Sequence, residues 1–420
     1  MKNHVLFSYQ ILSSVYKDGA YLSIALSDAL PSLDARDRAI VTNSVYGVLE
    51  HNEEFSYFLS RLCKKTPRPS VRVCLRLGMY YIKYLNSMPT YTAVNEIVEL
   101  TKTVKKEQAG FVNATLKAYV SIMNDLPKGK LGKSVEYNVP VWLLDEYIRE
   151  YGEKETEKIL TNRQKHTHLR VNKNRYSDSE FEKYCLERSL KYKKTEYGYL
   201  VGATGDFSQL FKQGKLTLMA LDSIKICRAL IGDKPLSDVL DLCSAPGGKS
   251  VYIAEQNPDI TVYSVDIHAH RVDLVNAYAK RMGVNNIKTS VADSREINNE
   301  WVEKFSYVLA DVPCSGVGVL AENPDIILNR KKEDLTEITK IQSSLIETAS
   351  RYLKKGGIMV YSTCSDLKIE NEQIVKAFLK NNPEFSLVEN EITGSDGIRT
   401  FVSDSMGNDG FFLSCIRRKQ

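Results

Sequence analysis

Apolar residues recur every three or four positions through the first 125 residues. Val5–Val15, Ala39–Leu49, Val71–Leu85 and Ala93–Thr103 each read as one face of a helix. No alternating, strand-like run interrupts them. Asp34 and Asp37 flank the start of the second segment, where capping residues belong. Residues 1–125 are therefore expected to form an all-α domain. Residues 126–140 concentrate Gly, Lys and Pro and read as a linker, and a helical pair over about 141–163 follows. Residues 165–213 mix strand-like runs, His168–Val171 and Tyr197–Val201, with a helix near Ser179–Leu190. The stretch 126–219 thus reads as linker helices plus a small α+β subdomain.

From about residue 220 the rhythm changes. Val239–Leu242, Thr261–Asp266, Lys288–Ala292, Tyr307–Asp311 and Gly357–Ser362 read as strands, separated by helices near 248–255, 269–282 and 335–353. Apolar strands alternating with helices predict an α/β fold with a parallel, doubly wound sheet over 220–420. Ligands of such sheets bind at the carboxyl ends of the strands.

Length and composition agree with several folded domains. The chain has 420 residues, 43% hydrophobic and 26% charged, which excludes wholesale disorder. No apolar run reaches the roughly 18 residues that a membrane helix needs, and MKNHVLFSYQ is not a secretory leader. A cytoplasmic protein with no membrane partner is expected. The eight cysteines, at 63, 74, 185, 227, 243, 314, 364 and 415, form no CxxC pair and no zinc-like cluster. Neither a metal nor a disulfide is expected, so a functional cysteine would act as a thiol.

Charge is unevenly spread. Residues 1–125 carry 15 Lys and Arg against 11 Asp and Glu. Within them, 55–95 hold Arg61, Lys64, Lys65, Arg68, Arg72, Arg76 and Lys83 and no acid. A second acid-free run carries Arg163, Lys165, Arg170, Lys173 and Arg175 with His166 and His168. Such runs suit a phosphate backbone, or else an ordinary solvated face.

The candidate chemistry lies in the second half. The first expected strand leads into Asp241-Leu242-Cys243-Ser244-Ala245-Pro246-Gly247-Gly248-Lys249. A Gly-rich turn between strand and helix lets a ligand approach backbone N–H groups. This turn is neither a P-loop nor a GxGxxG fingerprint. Asp266, 19 residues after Gly247, ends the next strand, where an acid can hold ribose hydroxyls. Asp293 and Asp311 end the following two. Two cysteines come next: Asp311-Val312-Pro313-Cys314-Ser315-Gly316 and, 50 residues later, Ser362-Thr363-Cys364-Ser365. Two thiols expected at one sheet edge, without metal spacing, suggest covalent catalysis.

DLCSAPGGKS, DVPCSG, STCS and the following Glu370-Asn371-Glu372 resemble the motifs of the RNA (cytosine-5)-methyltransferases. Phe111-Val112-Asn113-Ala114 is similar to a NusB-like RNA-binding domain. Leu169-Arg170-Val171-Asn172 and Asp409-Gly410-Phe411-Phe412 also match. The whole arrangement most resembles the B family of bacterial 16S ribosomal RNA (cytosine-5)-methyltransferases. That resemblance implies a NusB-like domain and a Rossmann-like catalytic domain using S-adenosylmethionine, and a monomer acting on 16S RNA rather than DNA. It implies that Cys243, Ser244, Ala245, Pro246, Gly247, Gly248, Lys249, Asp266, Arg271, Asp293 and Asp311 line the cofactor site. Asp266 would hold the ribose and Asp293 the adenine edge. Cys364 would be the nucleophile and Cys314 would assist release, with Asp311 and Lys249 acting on the base or the donor.

Three positions depart from the family pattern. Met219-Ala220 stand where Gln-Asp is usual, Ala321-Glu322 where a basic pair precedes Pro324-Asp325, and Ile326-Ile327-Leu328 where a tryptophan follows. All touch expected RNA contacts. Two other readings stay open, the same chemistry on transfer RNA and an RNA-binding factor with a residual methyltransferase fold. The intact PC and TC pairs argue against the latter.

Overall fold

The computed structural model describes residues 2–202, 204–232, 237–404 and 407–420. The chain forms two compact units, one of residues 1–161 and 323–332, the other of 162–322 and 333–420.

The first unit is all helix, as its apolar periodicity requires. Helices Asn3–Asp18, Ala35–Glu50, Pro69–Lys83, Thr90–Lys105 and Ala109–Ile122 pack around Val5, Leu12, Val45, Phe58, Leu75, Leu77, Ile97 and Leu116, all buried. Asp34 caps Ala35–Glu50, its Oδ1 accepting from Asp37 N at 2.8 Å. Gly47 is needed because a Cβ there would lie 2.0 Å from the Tyr80 ring. The Gly- and Lys-rich stretch expected as a linker instead contains the helix Gly129–Tyr137. Its C-cap, Asn138, adopts a left-handed conformation, accepts from Glu53 N and donates to Leu49 O. These bonds fix a segment whose composition alone reads as loose. Val141–Thr161 is broken at Gly152 (φ 74°), giving the expected helical pair.

The departure at 326–328 falls in this unit. Ile327 is buried and Leu328 packs against the helical core, while Asp325 accepts from Leu22 N at 3.0 Å.

The second unit holds two sheets. Strands β1 (His168–Val171), β2 (Tyr192–Thr195), β3 (Gly198–Val201) and β4 (Leu216–Leu218) form an antiparallel sheet in the order β2-β3-β1-β4. The helix Asp178–Glu187 accompanies it, begun by a capping box of Ser177 and Glu180.

The larger sheet contains β5 (Val239–Asp241), β6 (Val262–Asp266), β7 (Ile287–Val291), β8 (Phe305–Asp311), β9 (Leu353–Thr363), β10 (Phe385–Leu387), β11 (Ile398–Phe401) and β12 (Phe411–Arg418). Its order is β10-β12-β9-β8-β5-β6-β7, with β11 also paired to β12. Strands β5 to β9 are parallel, as expected. The sheet as a whole is mixed, because β12 returns antiparallel to β9 and carries β10 and β11. Phe411 to Ile416 are all buried, and such a run lacks the alternation that would have marked it as a strand.

Candidate functional site

The parallel register sets which residues meet. Asp241 pairs with Leu309, and Asp311 with Ser362, so the loops after β5, β8 and β9 leave one edge together. After β5 the chain turns through Gly247 at φ 105°, where a Cβ would sit 3.1 Å from Val275 Cα. The helix Gly248–Gln256 starts there and presents its free N–H groups to the turn. Ser244 donates through both N and Oγ to Val265 O, and Ser294 Oγ donates to Leu242 O at 2.6 Å. Asp241 itself is buried and accepts from Ser250 Oγ at 2.5 Å, so it supports the turn from beneath. Burial pushes its carboxyl up to about 7. Cys243, in the turn, is likewise pushed up by burial.

The other residues expected at the cofactor site gather around this turn. Asp266 ends β6, accepts from His268 N, and faces Arg271 at 3.4 Å; Arg271 also donates to Ala245 O. Arg271 therefore ties the Gly-rich turn to the Asp266 carboxylate. Asp293 follows β7, and both its oxygens are held by Arg295 at 2.5–3.1 Å. The Arg295 hydrogen bonds hold its carboxyl below the usual range.

At the end of β8 Asp311 is doubly engaged. Its Oδ2 accepts from Lys249 Nζ at 2.6 Å and its Oδ1 from Ser362 Oγ at 2.7 Å. Burial alone would push Lys249 down, but the Asp311 charge and hydrogen bond outweigh it, so the ammonium is kept. The four catalytic candidates thus fall into two pairs, Lys249 with Asp311 and Cys314 with Cys364.

The two sulfurs lie 3.0 Å apart. All eight cysteines are free thiols, and this separation is a hydrogen bond rather than the roughly 2.05 Å of a disulfide. The hydrogen bond to Cys364 and burial push the Cys314 thiol well above its usual value, and the Glu370 carboxylate adds to the shift. Either thiol can serve as the donor of this contact.

Several residues beside these thiols have no role that the sequence assigns. Glu370, Ser315, Ser365 and Gln342 form a buried network, and Gly318 meets Gly410 so closely that a Cβ on Gly318 would lie 1.8 Å from Gly410 O. Gly318 N donates to Cys364 O, and Gly410 N to Gly318 O. The Cys-Ser dipeptides at 314–315 and 364–365 and the Glu370-Asn371-Glu372 run are the local signals of this network. Among the described residues no group of His, Cys, Asp and Glu has metal-site geometry, and no helix is long and apolar enough to cross a membrane.

The basic runs divide. Arg61, Lys64, Lys65 and Arg68 are exposed. Arg76 is buried, donates to Ser56 Oγ at 3.0 Å and stacks 4.8 Å from the Tyr16 ring; Lys83 pairs with Glu54 at 2.6 Å. In the second run Arg170 makes a buried ion pair with Glu255 at 2.6 Å. Burial pushes His168 down to about 4, leaving a neutral ring between Met219 O and Thr195 Oγ1. Arg76, Arg170 and His168 are therefore interior residues and not part of an open basic face.

Comparison with known proteins bears on the same regions. Residues 230–417 match the family model of the 16S rRNA methyltransferases RsmB/F, and 4–121 match the NusB family. The chain is 31% identical over 439 residues to the probable ribosomal RNA small subunit methyltransferase B of Bacillus subtilis (strain 168), spanning 98% of this chain and 97% of that one. The crystal structure of the protein PH0851 superposes over 98% of both chains with TM-score 0.84 at 22% identity. A methyltransferase homologue from Pyrococcus horikoshii matches 70% of this chain and all of its own, with TM-score 0.59 at 26% identity.

Proposed function

We infer that this chain, which belongs to the ribosomal RNA small subunit methyltransferase B family, methylates carbon 5 of a cytosine in 16S ribosomal RNA through a covalent bond from Cys364. Residues 1–125 and 126–219 hold the RNA and 220–420 carry the chemistry. Bound S-adenosylmethionine supplies an electrophilic methyl group. The donor set fits it: a turn with room only for glycine at 247, helix N–H groups facing that turn, and the Asp266 carboxylate for ribose hydroxyls. Cys243 to Lys249, Arg271, Asp293 and Asp311 complete that lining.

Carbon 5 of cytosine is a weak nucleophile. Addition of the Cys364 thiolate to carbon 6 moves electron density onto carbon 5, which then takes the methyl group. Loss of the carbon 5 proton restores the ring double bond and expels the thiolate. Lys249 and Asp311, ion-paired beside the thiols, are placed to support the charge that the ring acquires. The target base must leave any stack to reach them. One observation carries this reading: the 3.0 Å contact that brings the sulfurs of Cys314 and Cys364 together from the loops after β8 and β9. Bisulfite sequencing of RNA from a deletion strain tests it. One 16S cytosine should lose protection and regain it on complementation. Loss of a transfer RNA site with 16S RNA unchanged would move the substrate to transfer RNA.

A further inference from the structure

Cys314 and Cys364 stand on separate loops, after β8 and β9, yet their sulfurs touch. Thiol–thiol attraction is too weak to hold two loops in register. The stronger link lies one residue further on. Each cysteine is followed by a serine, and both serine hydroxyls donate to the same oxygen, Glu370 Oε1, Ser315 at 2.5 Å and Ser365 at 2.7 Å. Glu370 Oε2 accepts from Ser315 N at 2.8 Å and from Gln342 Nε2 at 3.1 Å, and Gln342 also donates to Pro313 O at 3.0 Å. The Glu370 side chain is fully buried, and its own backbone carbonyl is fixed by Tyr361 OH at 2.7 Å.

A buried carboxylate without donors is strongly disfavoured, whereas one accepting four charge-assisted bonds is a firm anchor. Only an acceptor with two oxygens can take four converging donors; an amide would oppose two of them with its own N–H groups. We propose that Glu370 is a positioning residue of the methyl-transfer site, a buried clamp that holds the two Cys-Ser loops together so that Cys314 can act on the bond made by Cys364. This rests on the covalent reading above. Glu370 acts through its hydrogen bonds to Ser315 and Ser365.

The test is single-turnover methylation of 16S transcript, following both appearance and breakdown of the protein–RNA adduct in denaturing gels. Glu370→Gln keeps size and shape. It should slow adduct breakdown on the order of 100-fold, as an ångström-scale misplacement does, and let adduct accumulate as in Cys314→Ser. The double variant Glu370→Gln/Cys314→Ser should be no slower than Cys314→Ser alone, because both changes remove one function. A purely structural role would lower melting temperature and slow the double variant further. Ser365→Ala, which leaves the carboxylate in place, should show the same accumulation to a smaller degree and guards against misfolding of the glutamate variant. Wild-type breakdown in both Glu370→Gln and Ser365→Ala overturns the clamp. Absence of any adduct in Cys314→Ser overturns the covalent reading itself.

Discussion

The carboxyl edge of the large sheet and the two basic runs are opposite cases of how sequence order becomes spatial order. At the edge, residues from Asp241 to Cys364 come from far apart in the chain and meet within hydrogen-bonding distance. In the runs, cations adjacent in the chain separate. Arg68 is exposed while Arg76, two helical turns on, is buried against Tyr16; Lys173 is exposed while Arg170 is locked to Glu255. A parallel strand leaves the sheet at only one end, so every strand-end residue goes to the same edge. A count of charges carries no such direction.

The sheet-edge side of this contrast stands or falls on the thiols, where the largest effect is expected. Cys364→Ala should abolish methylation and every covalent RNA species, while Cys314→Ser should leave attack intact and trap the adduct on denaturing gels. The reverse pattern would reassign the nucleophile to the PC motif.

Next comes Arg170. Arg170→Ala leaves Glu255 buried without its counter-ion, which costs about 3–5 kcal/mol; urea unfolding should register this while Lys173→Ala changes little. If Arg170→Ala were as mild, the two cations would belong to one surface after all.

Asp266→Ala should weaken S-adenosylmethionine binding by roughly 1.5–3 kcal/mol, the worth of a charge-assisted hydrogen bond, or on the order of tenfold to a hundredfold. Calorimetry should find a smaller loss for Asp293→Ala, whose carboxylate is already engaged by Arg295.

Among the cations, Lys64→Ala, Lys65→Ala and Arg68→Ala should weaken RNA binding without touching cofactor affinity. For each phosphate that a variant no longer neutralises, the salt slope should fall by ~0.7–0.9. Arg76→Ala should instead lower stability, with the salt slope of the folded fraction unchanged.

The smallest effect is a pH slope. Burial pushes Asp222 up to about 7 and, with Glu322 as a like-charged neighbour, raises Asp409 further. Glu322 is one of the departures from the family pattern, and its own carboxyl is raised by burial. His166 N, Lys225 and Asp404 surround the group. A carboxyl raised in the folded state binds its proton more tightly there, so its contribution is lost as pH climbs from the unfolded range near 4 to the folded value. Melting temperature should fall from pH ~5 to ~8, and Asp409→Asn should flatten that fall. A rise over the same interval would show that these carboxyls do not hold their protons in the folded state.

Local pattern was enough to establish the helical first unit, the five parallel strands and the acids and thiols at their ends. All of these follow from periodicity and from the single direction of parallel strands. The same pattern left β12 unread, because a wholly buried strand has no alternation, and it read Gly129–Tyr137 as a linker, because the bonds from Asn138 to Glu53 and Leu49 are tertiary. Packing settled the rest: which cations face solvent, that Ile327 and Leu328 join the helical unit, and that one buried glutamate gathers two Cys-Ser loops. Those outcomes depend on which surfaces are covered by residues distant in the chain, and burial of that kind has no local signature.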